Sequence, residues 1–185
     1  LVLLTKLHQY GMLSTNHLNQ YVFNDIAQTT VLRRLRVLES KKLITKIVGL
    51  ESMERLWALT ELGANTANVM LRKRHFARGL LEHDYKLLSL RLLLEGNGVA
   101  HSWIPEHELR SKVFQKFGRR DAKHQLIPDG LMVVDVAGRK ETVAIEMELT
   151  TKNERRYIQL FERYFGLSNT HAVWYIVKNI AQVNQ

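Results

Sequence analysis

Glu146 and Glu148 interrupt "VAIEMELTTK", residues 143–152, a run whose β-branched and aliphatic residues predict a strand. Residues two apart on a strand share a face, so the carboxylates repel unless something positive lies between them. Left buried and unpaired, each would be costly. Upstream, "LIPDGLMVV" brings a third acid, Asp129, to the mouth of a neighbouring strand. Such a cluster suits a hard divalent cation, Mg²⁺ or Mn²⁺, which takes oxygen ligands, binds phosphate and activates water. Solvated acids on an edge strand are the plainer alternative. The chain has no cysteine, which excludes disulfides and thiolate metal sites.

The elements that must position these acids follow from periodicity. "FARGLLEHDYKLLSLRLLLEGNG" predicts a long helix ended by Gly96 and Gly98, and "VAHSWIP" a short strand. A polar, basic excursion over 106–126 leads to strand "GLMVVDV", turn "AGRK", strand "ETVAIEMEL", helix "NERRYIQLFERYFG" and strand "HAVWYIV". Helix, three strands, helix and strand make an α/β domain with a small central sheet. Tyr157 and Tyr164 share a stripe with Ile158, Phe161 and Phe165 and read as core. Arg155, Gln159 and Arg163 take the opposite face, and with Arg119, Arg120, Lys123 and His124 they suit phosphates or are simply solvated.

The first part of the chain is more basic. Residues 1–80 hold twelve Lys/Arg against five Asp/Glu, whereas 81–185 hold fifteen against thirteen. Such an excess favours a polyanion, and nucleic acid first. "LVLLTKLHQYG" predicts a helix stopped by Gly11, and Ser14 caps a second helix carrying Leu18 and Val22. In "AQTTVLRRLRVLESKKL", Val31, Leu35 and Leu38 define the inner face of a third, with Arg33 and Arg36 opposite and Arg34 at the flank. Two strand-like runs, "LITKIVG" and "RLWALT", follow around "LESME". Three helices and a hairpin in this order predict a winged helix-turn-helix. Its third helix would present Gln28, Thr29, Thr30, Arg33 and Arg34 to a major groove, and Arg36, Lys41, Lys42, Lys46 and Arg55 would meet phosphates. A solvated helix face, or a winged helix used for protein contacts, is the alternative.

A helix from about Thr60 is expected to run through "ELGANTANVMLRKR" to the cluster Arg72, Lys73, Arg74 and Arg78, which marks the junction between domains 1–75 and 76–185. No apolar run is long enough for a bilayer, so no membrane insertion and a cytoplasmic location are expected. The chain begins without methionine, as a piece of a longer protein would.

"IPDG", a strand, then "AIEME" followed by a helix resembles the PD-(D/E)xK fold of restriction-type nucleases. With a winged helix in front, essentially the whole chain resembles the MOBC-type relaxases, bacterial plasmid-mobilisation proteins. The resemblance implies an endonuclease that uses Mg²⁺ or Mn²⁺ to nick one strand at a plasmid origin of transfer, with double-stranded DNA and further relaxosome or coupling proteins as partners. By matching positions, Asp129, Glu146 and Glu148 would hold the metal, with Glu82 on the preceding helix as a fourth candidate. Glu148 departs from the usual motif lysine, so another cation must serve; Lys152 is the first choice and Lys140 in the turn the next. The histidine cluster of tyrosine relaxases is missing, since the eight histidines include no His-x-His pair. The second reading is a non-catalytic winged-helix regulator or replication-relaxation accessory protein with a degenerate nuclease fold.

Overall fold

The computed structural model describes residues 1–47, 55–71, 78–167 and 170–178, apart from the side chains of Arg78 and Arg119. The chain is mixed α/β and divides into two compact units, Leu1–Leu92 and Leu93–Gln185.

In the first unit, α1 (Val2–Tyr10) ends at Gly11, whose N–H returns to the Leu7 carbonyl. Ser14 closes β1 (Leu13–Ser14) and caps α2 (Thr15–His17): its side chain accepts from the His17 N–H at 3.0 Å, and the Ser14 N–H reaches His17 Nδ1. The helix continues as a wider π turn over Leu18–Val22. Helix α3 (Gln28–Ser40) buries Val31 and Leu35 and half-buries Leu38, as its spacing predicts. β2 (Ile44–Ile47) and β3 (Leu56–Leu59) are antiparallel, and β1 pairs with the other edge of β3, giving the order β1-β3-β2. Thr60 caps α4 (Glu61–Ala67), which stops at Asn68 in the left-handed region, φ 53°. The expected continuation to Arg74 fails at that turn; Arg72, Lys73 and Arg74 lie outside the described residues. The core joins Leu3, Leu4, Leu7, Leu18, Leu35 and Trp57 to Leu81, Leu88 and Leu92 of α5 (Arg78–Gly96). Most of this helix therefore belongs with the first unit, so the division falls after Leu92 rather than at 75/76.

The second unit is a four-stranded sheet in the order β4-β5-β6-β7. β4 (Ser102–Pro105), β5 (Gly130–Val136) and β6 (Arg139–Glu148) are antiparallel neighbours, and β7 (Ala172–Val177) runs parallel to β6. Ala137 and Gly138, both at positive φ, turn β5 into β6, and the Asp135 side chain accepts from the Gly138 N–H at 2.8 Å. The crossover from β6 to β7 is α7 (Glu154–Phe165), capped by the Asn153 side chain. The stretch expected as a polar excursion is instead helical: α6 (Glu106–Asp121), broken at Gly118 and followed by a 3₁₀ turn over Ala122–His124. Leu109 and Val113 account for the difference, since they line an apolar pocket of about 270 Å³ with Leu126, Ile127 and Leu131. Among the described residues, no helix is long and apolar enough to cross a membrane.

Candidate functional site

Asp129 is fixed by the backbone of its neighbour. Gly130 pairs with Ile145 in the β5–β6 ladder, so one step further Asp129 stands level with Glu146, and its Oδ2 accepts from the Met147 N–H at 2.8 Å. Trp103 of β4 lies against Gly130 so closely that an added Cβ would sit 2.6 Å from the indole ring. Only glycine fits between that ring and the sheet.

Glu146 and Glu148 share the sheet face that α7 covers. Tyr164 of α7, 7% exposed, donates its hydroxyl to Glu146 Oε1. Glu148 is 4% exposed and fully engaged. Its Oε1 accepts from the Thr150 N–H at 3.3 Å and the Thr150 hydroxyl at 3.2 Å, and its Oε2 accepts from the Tyr175 hydroxyl at 3.0 Å and pairs with Lys152 Nζ. The short link from β6 to the Asn153 cap returns Lys152 to the site, where its N–H donates to the Tyr157 hydroxyl at 3.0 Å. Tyr175 meets Tyr157 edge-on, centroids 5.7 Å apart, and Phe161 at 5.8 Å. Three tyrosines thus roof the carboxylates.

These surroundings give the two glutamates opposite characters. Burial, first, pushes the Glu146 carboxyl up to about 7; the Tyr164 hydrogen bond opposes it, the charges of Asp129 and Glu148 add to it, and Lys152 subtracts. Burial also acts to raise Glu148, but the bonds from Lys152, Tyr175 and Thr150 and the Lys152 charge outweigh it and hold the carboxyl below its ordinary value. Burial, then the glutamate each one faces, raises the Tyr164 and Tyr175 hydroxyls far out of reach of ionisation at neutral pH. Both donate hydrogen bonds to the glutamates they face. Glu146, balanced near neutrality beside a permanent anion and a lysine, is suited to accept and return a proton.

Among the described residues, no group of three or more acids or histidines is disposed to hold a metal ion. In donor type and charge Asp129, Glu146 and Glu148 nevertheless fit a hard divalent cation: all are carboxylates, and a cation would offset the burial that chiefly raises Glu146 and the neighbouring charges that add to it. Asp129 and Glu146 would hold it, joined by Glu148 if Lys152 yields.

Asp129, Glu146, Glu148 and Lys152 therefore converge. Lys140 does not: it lies in β6 opposite Asp135, six residues and about 20 Å of strand from Glu146. Glu82 belongs to the first unit, where it pairs with Lys86 at 2.9 Å. Tyr175 and Thr150 went unrecognised in the sequence. The parallel register of β7 against β6, Glu146 with Tyr175, carries the signal for the first.

In the first unit, Arg33, Arg34 and Arg36 are exposed on α3, with Gln28 and Thr29 exposed at its start and Thr30 half-buried. Gln28 donates to the Asn16 side chain at 3.3 Å. Lys41, Lys42 and Arg55 are exposed, while Lys46 pairs with Glu39 at 2.9 Å and lies over the Trp57 ring. Arg120, Lys123 and Arg155 are exposed in the second unit; the side chain of Arg119 lies outside the described residues. Comparison of the chain with protein-family models, with curated proteins and with solved structures finds no match in any of the three.

Proposed function

We propose that the chain is a metal-dependent DNA endonuclease of the relaxase kind, which recognises double-stranded DNA through a winged helix and nicks one strand at a plasmid origin of transfer in the bacterial cytoplasm. The observation that carries this reading is the charge-coupled group Asp129, Glu146, Glu148 and Lys152, gathered at the mouths of two adjacent strands under one helix. The order helix, strand, helix, two strands, helix, strand, with β7 parallel to β6, supports a PD-(D/E)xK arrangement. Three helices and a hairpin ahead of it, with arginines exposed on α3, support the winged helix.

A bound Mg²⁺ or Mn²⁺ would supply charge to the scissile phosphate and lower the pKa of a water. The protein's own groups do the rest. Asp129 and Glu146 would hold the cation. Lys152, tethered by Glu148, would place positive charge where the usual motif has its lysine. Tyr164 and Tyr175 orient the two glutamates.

A second reading has one observation in its favour. Each of the three acids already has an oxygen satisfied by a protein donor, as in a degenerate nuclease fold kept for assembly in a DNA-binding regulator. Incubation with supercoiled plasmid carrying candidate origins, with EDTA, Mg²⁺ or Mn²⁺, separates the two. Metal-dependent conversion to open circles, lost in Glu146→Gln while DNA affinity is kept, supports the enzyme. Plasmid bound but left intact under both metals supports the regulator.

A further inference from the structure

We propose that the outer face of α6 is a binding surface for single-stranded DNA, which stacks its bases on Phe114 and Phe117. The inference rests on the nuclease reading for its purpose, since a nicked strand can leave the duplex and expose its bases. Its binding step stands apart from any cleavage.

Leu109 and Val113 face the pocket inside the second unit. Phe114 and Phe117 do not line it; they are 40% and 39% exposed, and at i and i+3 they share one side of the helix. Around them the charge is one-sided. Between Arg110 and Lys123 the chain carries six Lys/Arg and one acid, Asp121, and Lys112, Lys116, Arg120 and Lys123 are exposed. Lys116 Nζ lies 5.0 Å from the Phe117 ring centroid, so one patch offers a stacking face together with a phosphate partner.

Exposed rings interleaved with cations match a single strand, because base faces are open to stacking there and closed in a duplex. The same charge disfavours a second copy of the chain, since two such faces would repel. The surface is also connected to the acids. Gly118, φ 73°, turns the chain out of the helix, and the Arg163 guanidinium of α7 donates to the His124 carbonyl at 3.1 Å. That bond ties the end of the basic segment to the helix that roofs Glu146, five residues before Asp129. A strand laid on α6 is thus led toward the carboxylates.

The test is fluorescence anisotropy of the intact chain with labelled oligothymidylate in EDTA, so that no cleavage enters. Phe114→Ala and Phe117→Ala should each weaken binding by about tenfold, while duplex affinity holds. Arg33→Ala with Arg34→Ala should do the reverse. Phe117→Trp should bind like the wild type and lose indole emission as bases stack on it, which reads the contact without removing a ring. Unchanged oligothymidylate affinity in the alanine variants overturns the proposal, as does unchanged emission from Phe117→Trp. A wild type that is dimeric by light scattering and becomes monomeric in either alanine variant would overturn it too, by assigning the face to a second copy. Plasmid nicking that fails while Phe-dependent binding persists sinks the nuclease reading alone.

Discussion

Glu146→Gln keeps an acceptor for the Tyr164 hydroxyl and removes the charge that burial penalises, so its effect on stability must depend on pH. The ordinary value of this carboxyl is 4.5 and its folded value is about 7. Between the two, the folded protein holds a proton that the unfolded chain has released. The stabilisation this proton linkage gives is complete below the ordinary value and is lost as pH rises through about 7. A tenfold difference in proton affinity between folded and unfolded chain corresponds to about 1.4 kcal/mol, and partial solvent screening of a half-buried carboxyl brings the total to on the order of 2 kcal/mol. Urea unfolding of wild type and Glu146→Gln in EDTA, from mildly acidic to mildly alkaline pH, measures it. The variant should gain on the wild type by roughly 2 kcal/mol across the range, a difference in Tm on the order of 10 °C for a unit of this size. Saturating Mg²⁺ should restore much of the wild-type deficit at high pH and little in the variant. Parallel pH profiles for the two proteins would refute the reasoning, because a carboxyl with an ordinary titration has no such linkage.

Two further outcomes bear on the separate units. Arg33→Ala with Arg34→Ala should lower duplex affinity by at least about tenfold and reduce the slope of log affinity against log salt by about two, measured by anisotropy over a salt series; an unchanged slope would take α3 off the phosphates. Lys152→Met leaves the enclosed Glu148 without its cation and should cost about 2 kcal/mol in urea unfolding, below the roughly 3–5 kcal/mol of a wholly buried pair because Lys152 is partly exposed; stability equal to wild type would mean that Tyr175 and Thr150 suffice to hold the carboxylate.

Local signals in the sequence carried a good part of this arrangement. Gly11 and Ser14 mark their helix boundaries, the buried residues of α3 fall at the expected spacing, and the four strands of the second unit lie where the alternating and apolar runs predict them. α6 was hidden by its own charge: Leu109 and Val113 have helical spacing, but basic residues surround them, Pro105 precedes them and Gly118 breaks the pattern. The end of α4 depended on Asn68 adopting a left-handed conformation, which its residue type permits but does not demand. The acids could be grouped because Asp129, Glu146 and Glu148 sit on strands joined by a short turn. Their tyrosine roof could not, since Tyr175 reaches Glu148 only through a parallel pairing that spans a whole helix. The return of Lys152 to Glu148 was within reach because the two are four residues apart.

The contact between Trp103 and Gly130 has a consequence for how the chain can change over generations. Any side chain at 130 collides with the indole, and a smaller residue at 103 leaves a void beside the acid that follows Pro128. Neither position can move first without a loss, so a library that randomises both should return substitutions in pairs, a large residue at 130 only with a small one at 103. Asp129 would then drift with the pair, making the two positions a handle on where the first carboxylate stands without touching any carboxylate.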